Sequence, residues 1–249
     1  MRAAGSPLLR EGARVYFSQP TILRSYLLLP CVLTVAALVG WPEGSLESAL
    51  RAGSAANPFS VVSLAFLLLL VYLAGRYGAE DYAPESLASI RDYVTMTPTP
   101  VRSLVAGKVV FAFLHTAFML ALGAPFLLVA LTVSGSRQGA LGTAFAVLAG
   151  SALASRMYGL FLLSLLGPRK LLRSAAFVGG AGAYLLVTFL VFPSISPAAA
   201  LLALGSPAPT PGSRLVLLAD AGAMVVFIVG AGLVLLAARR ARRRGGAKA

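Results

Sequence analysis

The chain has 249 residues, 58% hydrophobic and only 12% charged, with a mean hydropathy of +0.86. Ordinary soluble domains carry about a quarter charged residues, so this composition excludes that class and predicts a polytopic membrane protein. The net charge of +13 would raise nucleic-acid binding in a soluble protein, but here the basic residues sit beside apolar runs, as orientation signals and headgroup contacts do, and no nucleic acid is expected.

Leu8–Ser18 places Leu9, Gly12, Ala13, Tyr16 and Phe17 on one helical side and Arg10, Glu11, Arg14 and Ser18 on the other. The pattern predicts a short helix lying in the interface within a leader spanning 1–21, with a disordered basic leader as the alternative. No secretory signal peptide is expected, because Met1–Pro20 is polar and the first apolar run lacks a small-residue cleavage site. That run predicts span one at about 22–41, with Pro30 inside it and Trp41 at headgroup level. Cys31 is the single cysteine and excludes an internal disulfide.

Asn57-Pro58 offers a cap and a first-turn proline for span two, about 59–75. Ala79–Lys108 follows, the longest polar interruption, holding four of the eight acidic residues. Pro84 and Glu85 suit a helix start, and Leu87, Ile90, Tyr93 and Val94 then share one side against Glu85, Ser89, Asp92 and Thr95. Thr97-Pro98 stops that helix, and Thr99 can cap the next one with Pro100 at its first position. Span three, about 101–133, exceeds the ~20 residues a bilayer needs, so it tilts, kinks at Pro125 or projects into the cytoplasm.

Span four is expected at about 138–166, with Gly142, Ala146, Gly150 and Ala154 as a seam for close approach of another helix. Gly167–Arg173 reads as a tight basic turn. Span five, about 174–192, contains Gly179, Gly180 and Gly182 for close packing. In the proline-rich stretch that follows, Ala198–Leu204 is too short to cross but suits a re-entrant or interfacial helix. Span six, about 215–238, runs into the basic tail 239–249. The whole of 1–249 therefore reads as a single all-α transmembrane domain of six helices. Placing both termini inside puts 17 of the 21 Lys and Arg in cytoplasmic segments, so an N-in, C-in topology is expected.

The polar stretch between spans two and three resembles a pattern in permeases of the type-2 ATP-binding-cassette (ABC) exporter family. Asp92 stands where that family usually has glutamate, Thr97-Pro98 follows, and Gly107-Lys108 lies at the family's distance beyond the proline. Ser89-Ile90-Arg91 departs from the family's Gly-Thr-Leu. The resemblance covers about 30 residues of the chain. It implies a permease subunit in a bacterial cytoplasmic membrane, paired with a second copy or a related chain. Cytoplasmic ATPase subunits would dock on a coupling helix through Glu85, Arg91, Asp92, Tyr93, Thr97 and Pro98. ATP and Mg would be bound by those ATPases.

The chain itself has no G-x-x-x-x-G-K-[ST] phosphate loop and no Gly-x-Ser-x-Gly elbow, so neither an ATPase nor another enzyme is expected, and no cofactor. His115 is the only histidine and has no cluster of Cys, Asp or Glu around it in sequence, so no metal site is expected. Three polar groups lie within apolar spans, where a charge costs about 2.5 kcal/mol or more. His115 reads as a neutral packing residue and Asp220, near a span end, as solvated. Arg156 reads as snorkelling or structurally paired, or as a contact for an anionic cargo group or a subunit. The alternative functional classes are a gradient-driven transporter or channel and a membrane anchor or regulatory subunit.

Overall fold

A computed structural model describes residues 20–41, 57–79, 100–135, 139–167, 169–204 and 213–246. Among them are seven α-helices and one short 3-10 turn. In chain order these are α1 (Pro20–Val39), α2 (Pro58–Ala79), α3 (Val101–Ser134), α4 (Gly139–Leu166), α5 (Lys170–Val191), the turn Pro193–Ile195, α6 (Pro197–Leu204) and α7 (Ser213–Gly246). Five of them, α2, α3, α4, α5 and α7, are long and apolar enough to cross a membrane. The apolar part of α1 is shorter, Leu23–Val39. The interfacial helix expected over Leu8–Ser18 and the amphipathic helix expected over Glu85–Thr95 lie outside the described residues.

The helix ends follow the local chemistry. Asn57 Oδ1 accepts a hydrogen bond from the Phe59 N–H at 2.9 Å, capping α2 as the Asn-Pro pair predicts. At α3 the expectation needs a one-residue correction. Pro100 is the cap, in an extended conformation, and its carbonyl accepts from the Ser103 and Leu104 N–H groups. Proline lacks an N–H, so it is as well placed just outside the first turn as inside it. Gly135 and Gly167 end α3 and α4 with φ of 63° and 60°, the left-handed conformation that glycine adopts without penalty. The Arg173 guanidinium donates to the Gly167 carbonyl and closes the tight turn into α5. α7 does not stop at 238; it continues as helix through the arginine run to Gly246, because Arg and Ala are strong helix formers.

The bundle is organised around α2 and α4, which pack along each other more extensively than any other pair. In hydrocarbon no hydrophobic effect drives helices together, so close packing and hydrogen bonds must. A Cβ built on Gly159 of α4 would sit 2.3 Å from the Gly75 carbonyl oxygen and 2.7 Å from the Ala79 nitrogen of α2. One on Gly78 would sit 2.2 Å from the Arg156 carbonyl oxygen. Alongside this contact the Ser155 hydroxyl donates to the Val71 carbonyl at 2.7 Å. These pairings make α2 and α4 parallel.

The expected glycine seams are therefore corrected. Gly142 is exposed with open space where its Cβ would be, whereas Gly150 faces Asp220 and Leu217 of α7. On α5, Gly179 and Gly182 are likewise open, and only Gly180 is crowded, against the Tyr158 hydroxyl. α3 crosses α2 in the opposite direction, with Gly123 against Phe66. α6 packs on α2 near its start, where the Ser60 hydroxyl donates to the Leu202 carbonyl at 3.3 Å, and Leu201 is fully buried there. α5 and α7 lean on α4 but leave most of their own surface open.

Candidate functional site

Two polar centres lie on different sides of α4. The first joins Arg156 to His115 of α3, both almost fully buried. Arg156 Nη1 lies 2.5 Å from His115 Nδ1. A guanidinium only donates, so Nδ1 is the acceptor and carries no proton. His115 Nε2 then holds the proton and donates to the Tyr26 hydroxyl of α1 at 2.7 Å. A relay of hydrogen bonds thus runs from α4 through α3 to α1.

Aromatic rings enclose this relay. Phe111 stacks on His115 one turn earlier in α3, with ring planes 9° apart, and the Arg156 guanidinium carbon lies 5.6 Å from the Phe111 centroid. Tyr77 of α2 meets the imidazole edge-on at 5.0 Å. The arrangement buries a cation by giving it an imidazole lone pair and an aromatic face. It supports structural pairing of Arg156 within the bundle, since the side chain is 5% exposed.

The second centre surrounds Asp220 of α7, which is 1% exposed and so is not solvated as its place in the sequence predicts. Its burial comes from α4 and α5, which meet this side of α7. Asp220 meets Ser151, which lies near the middle of α4. Ser151 Oγ donates to Asp220 Oδ2 at 2.8 Å and the Tyr184 hydroxyl of α5 donates to Oδ1 at 3.3 Å. Gly150 makes room for the carboxylate: a Cβ there would sit 3.1 Å from Oδ2.

This second centre opens into a cavity of about 250 Å³. α4 supplies Ser151, Ala154, Ser155 and Tyr158, α5 supplies Gly180, Ala181, Tyr184 and Leu185, and α7 supplies Asp220, Ala223 and Phe227, with Val71 of α2 behind. Tyr158 and Phe227 are neighbours, their centroids 5.1 Å apart, and the Tyr158 hydroxyl donates to the Ala176 carbonyl at 3.1 Å. Small residues make the space; aromatic rings and one carboxylate give it character.

Of the residues singled out in the sequence, His115 and Arg156 come together, while Asp220 forms its own centre with Ser151 and Tyr184. Glu85, Arg91, Asp92, Tyr93, Thr97 and Pro98 lie outside the described residues. Tyr26, Tyr77 and Phe111 around the imidazole, and Ser151, Tyr184, Tyr158 and Phe227 around the cavity, have no sequence signal of their own. Phe111 alone is placed for it, four residues from His115 on the same helical face.

The bundle of apolar helices with buried polar centres, all-helical among the described residues, defines an integral, multi-pass membrane protein. No family model matches the chain, and neither the curated proteins nor the solved structures contain a match to it.

Proposed function

We propose that the chain is the membrane-spanning permease subunit of an ABC transporter, an exporter in type, driven by ATP hydrolysis on separate cytoplasmic ATPase subunits. The observation that carries this reading is the sequence between α2 and α3. There Asp92, Thr97-Pro98 and Gly107-Lys108 stand in the order and spacing of type-2 exporter permeases. In this reading α1 also crosses the membrane and completes a set of six spans, both termini face the cytoplasm, and the membrane is a bacterial inner membrane. Two such permeases, identical or related, pair in the lipid. Glu85, Arg91, Asp92, Tyr93, Thr97 and Pro98 form the ATPase-docking surface, and the chain itself is no enzyme: ATP and Mg stay on the partner.

The dimensions of α3 fit the reading. Its 34 residues rise ~51 Å, against ~30 Å of hydrocarbon, a length that suits a helix whose base projects from the bilayer as well as one that tilts or kinks at Pro125. A mild-detergent pull-down of the tagged chain from its native membranes tests it. The expected result is a stoichiometric ATPase with a phosphate-binding loop, lost from the Asp92→Lys, Tyr93→Ala double variant. Recovery of the chain alone, while a known membrane complex in the same extract stays intact, would overturn the proposal.

A gradient-driven transporter is the second reading, favoured by the Asp220 carboxylate buried beside the middle of α4. Flux in proteoliposomes that follows an ion gradient without ATP or ATPase would establish it instead.

A further inference from the structure

We infer that the cavity between α4, α5 and α7 binds a small hydrophobic organic cation, its charge against the Asp220 carboxylate and its apolar body against Tyr158 and Phe227. The carboxylate supplies the sign. Ser151 and Tyr184 both donate hydrogen bonds into it, one to each oxygen, which supports its negative charge and leaves further lone pairs on both oxygens. None of the residues lining the cavity is basic. An anion in so apolar a place needs a counter-charge, and the described residues lining the cavity do not provide one.

The lining supplies the class. A hard metal ion such as calcium or magnesium takes about six or more oxygen ligands and zinc about four, usually with His or Cys among them, but the wall offers Asp220, the hydroxyls of Ser151 and Ser155, and phenols among Gly, Ala, Leu and Val. Ser155 already donates to the Val71 carbonyl and Tyr158 to the Ala176 carbonyl. What remains suits a cation that brings its own apolar surface: rings attract positive charge with their faces, and alkyl or aryl groups fill the space between small residues. The volume of about 250 Å³ lies just under the range of ~300–1,000 Å³ for drug-sized ligands, so the occupant carries about one ring rather than several.

Benzyltrimethylammonium is a suitable probe, because its charge is permanent and neopentylbenzene has nearly the same shape without it. The assay is equilibrium binding of the radiolabelled cation to the full-length chain in phosphatidylcholine nanodiscs, with no ATPase present, so the outcome is independent of whether the chain is an ABC permease. We expect saturable binding of one cation per chain, displaced by unlabelled cation and not by neopentylbenzene. Asp220→Asn should weaken it roughly tenfold or more, the loss of a charge-assisted contact. Ala223→Leu, which fills the cavity and keeps the carboxylate, should abolish it and stands in if Asp220→Asn does not fold as a monodisperse species. Absence of saturable binding to the unmodified chain overturns the inference. So does equal competition by neopentylbenzene, which would mark a site for acyl chains, or unchanged binding in a folded variant.

Discussion

Gly159→Ala is the most informative single change at the junction of α2 and α4. The added Cβ would lie 2.3 Å from the Gly75 oxygen, 2.7 Å from the Ala79 nitrogen and 2.9 Å from the Gly78 carbonyl carbon. Unstrained contacts between such atoms need about 3.5 Å, so the helices must part by roughly 1 Å. All three neighbours are backbone, and no rotamer change can relieve the clash. A separation of that size stretches the Ser155–Val71 hydrogen bond, now 2.7 Å, past hydrogen-bonding distance.

Overpacking costs about 1–3 kcal/mol, and the lost interhelical hydrogen bond about 0.6–1.7 kcal/mol. Alanine's better helix propensity offsets up to about 1 kcal/mol. The net expectation is a destabilisation of about 2 kcal/mol. SDS titration of the purified chain, followed by circular dichroism, measures it. Gly182→Ala is the control, because nothing lies within 4 Å of its Cβ position; it should be neutral or stabilising by up to about 1 kcal/mol. Equal stability of the two variants would refute the role given to Gly159.

His115→Phe keeps a ring beside Phe111 but removes the Nδ1 acceptor of Arg156, and should cost about 1–3 kcal/mol in the same titration. Combining it with Arg156→Met should cost less than the sum of the single changes by roughly 1 kcal/mol; strict additivity would show that the two side chains do not interact. Cys31 is exposed near the middle of α1, so in intact membranes it should react with a lipid-soluble maleimide and resist a charged, impermeant thiosulfonate. Rapid labelling by the charged reagent would remove α1 from the bilayer.

The long apolar runs, the Asn57-Pro58 cap, the turn at Gly167 and the short helix before α7 were all legible in the sequence, because each depends on local chemistry: chain length against bilayer thickness, a side-chain acceptor, a left-handed glycine. Which faces pack was not. In a soluble helix the polar side marks solvent and the apolar side marks the core, but in α2 or α4 both lipid and neighbour demand apolar residues. The four-residue spacing on α4 pointed to Gly142, Ala146, Gly150 and Ala154; Gly150 does meet α7, but Gly142 faces open space, and the tightest backbone contacts fall at Gly75, Gly78 and Gly159, outside that stripe. Asp220 was misplaced for a related reason: distance from the end of an apolar run does not tell which way a side chain faces, and here it faces Gly150 and Ser151 of α4 and Tyr184 of α5. His115 and Arg156 each stood out as polar residues in apolar helices, but no local pattern links residues on different helices.

The cavity has a firm back and yielding sides. α2 and α4 behind it have most of their apolar residues buried, whereas α5 and α7, which form its flanks, leave most of theirs exposed. Parting α5 from α7 breaks the Tyr184–Asp220 hydrogen bond but leaves the contact of α2 with α4 in place, so an opening there would be a door facing sideways toward acyl chains rather than along the axis toward water. A guest arriving by that door would already be dissolved in the bilayer, and its local concentration would be set by partitioning into lipid rather than by its level in the surrounding fluid.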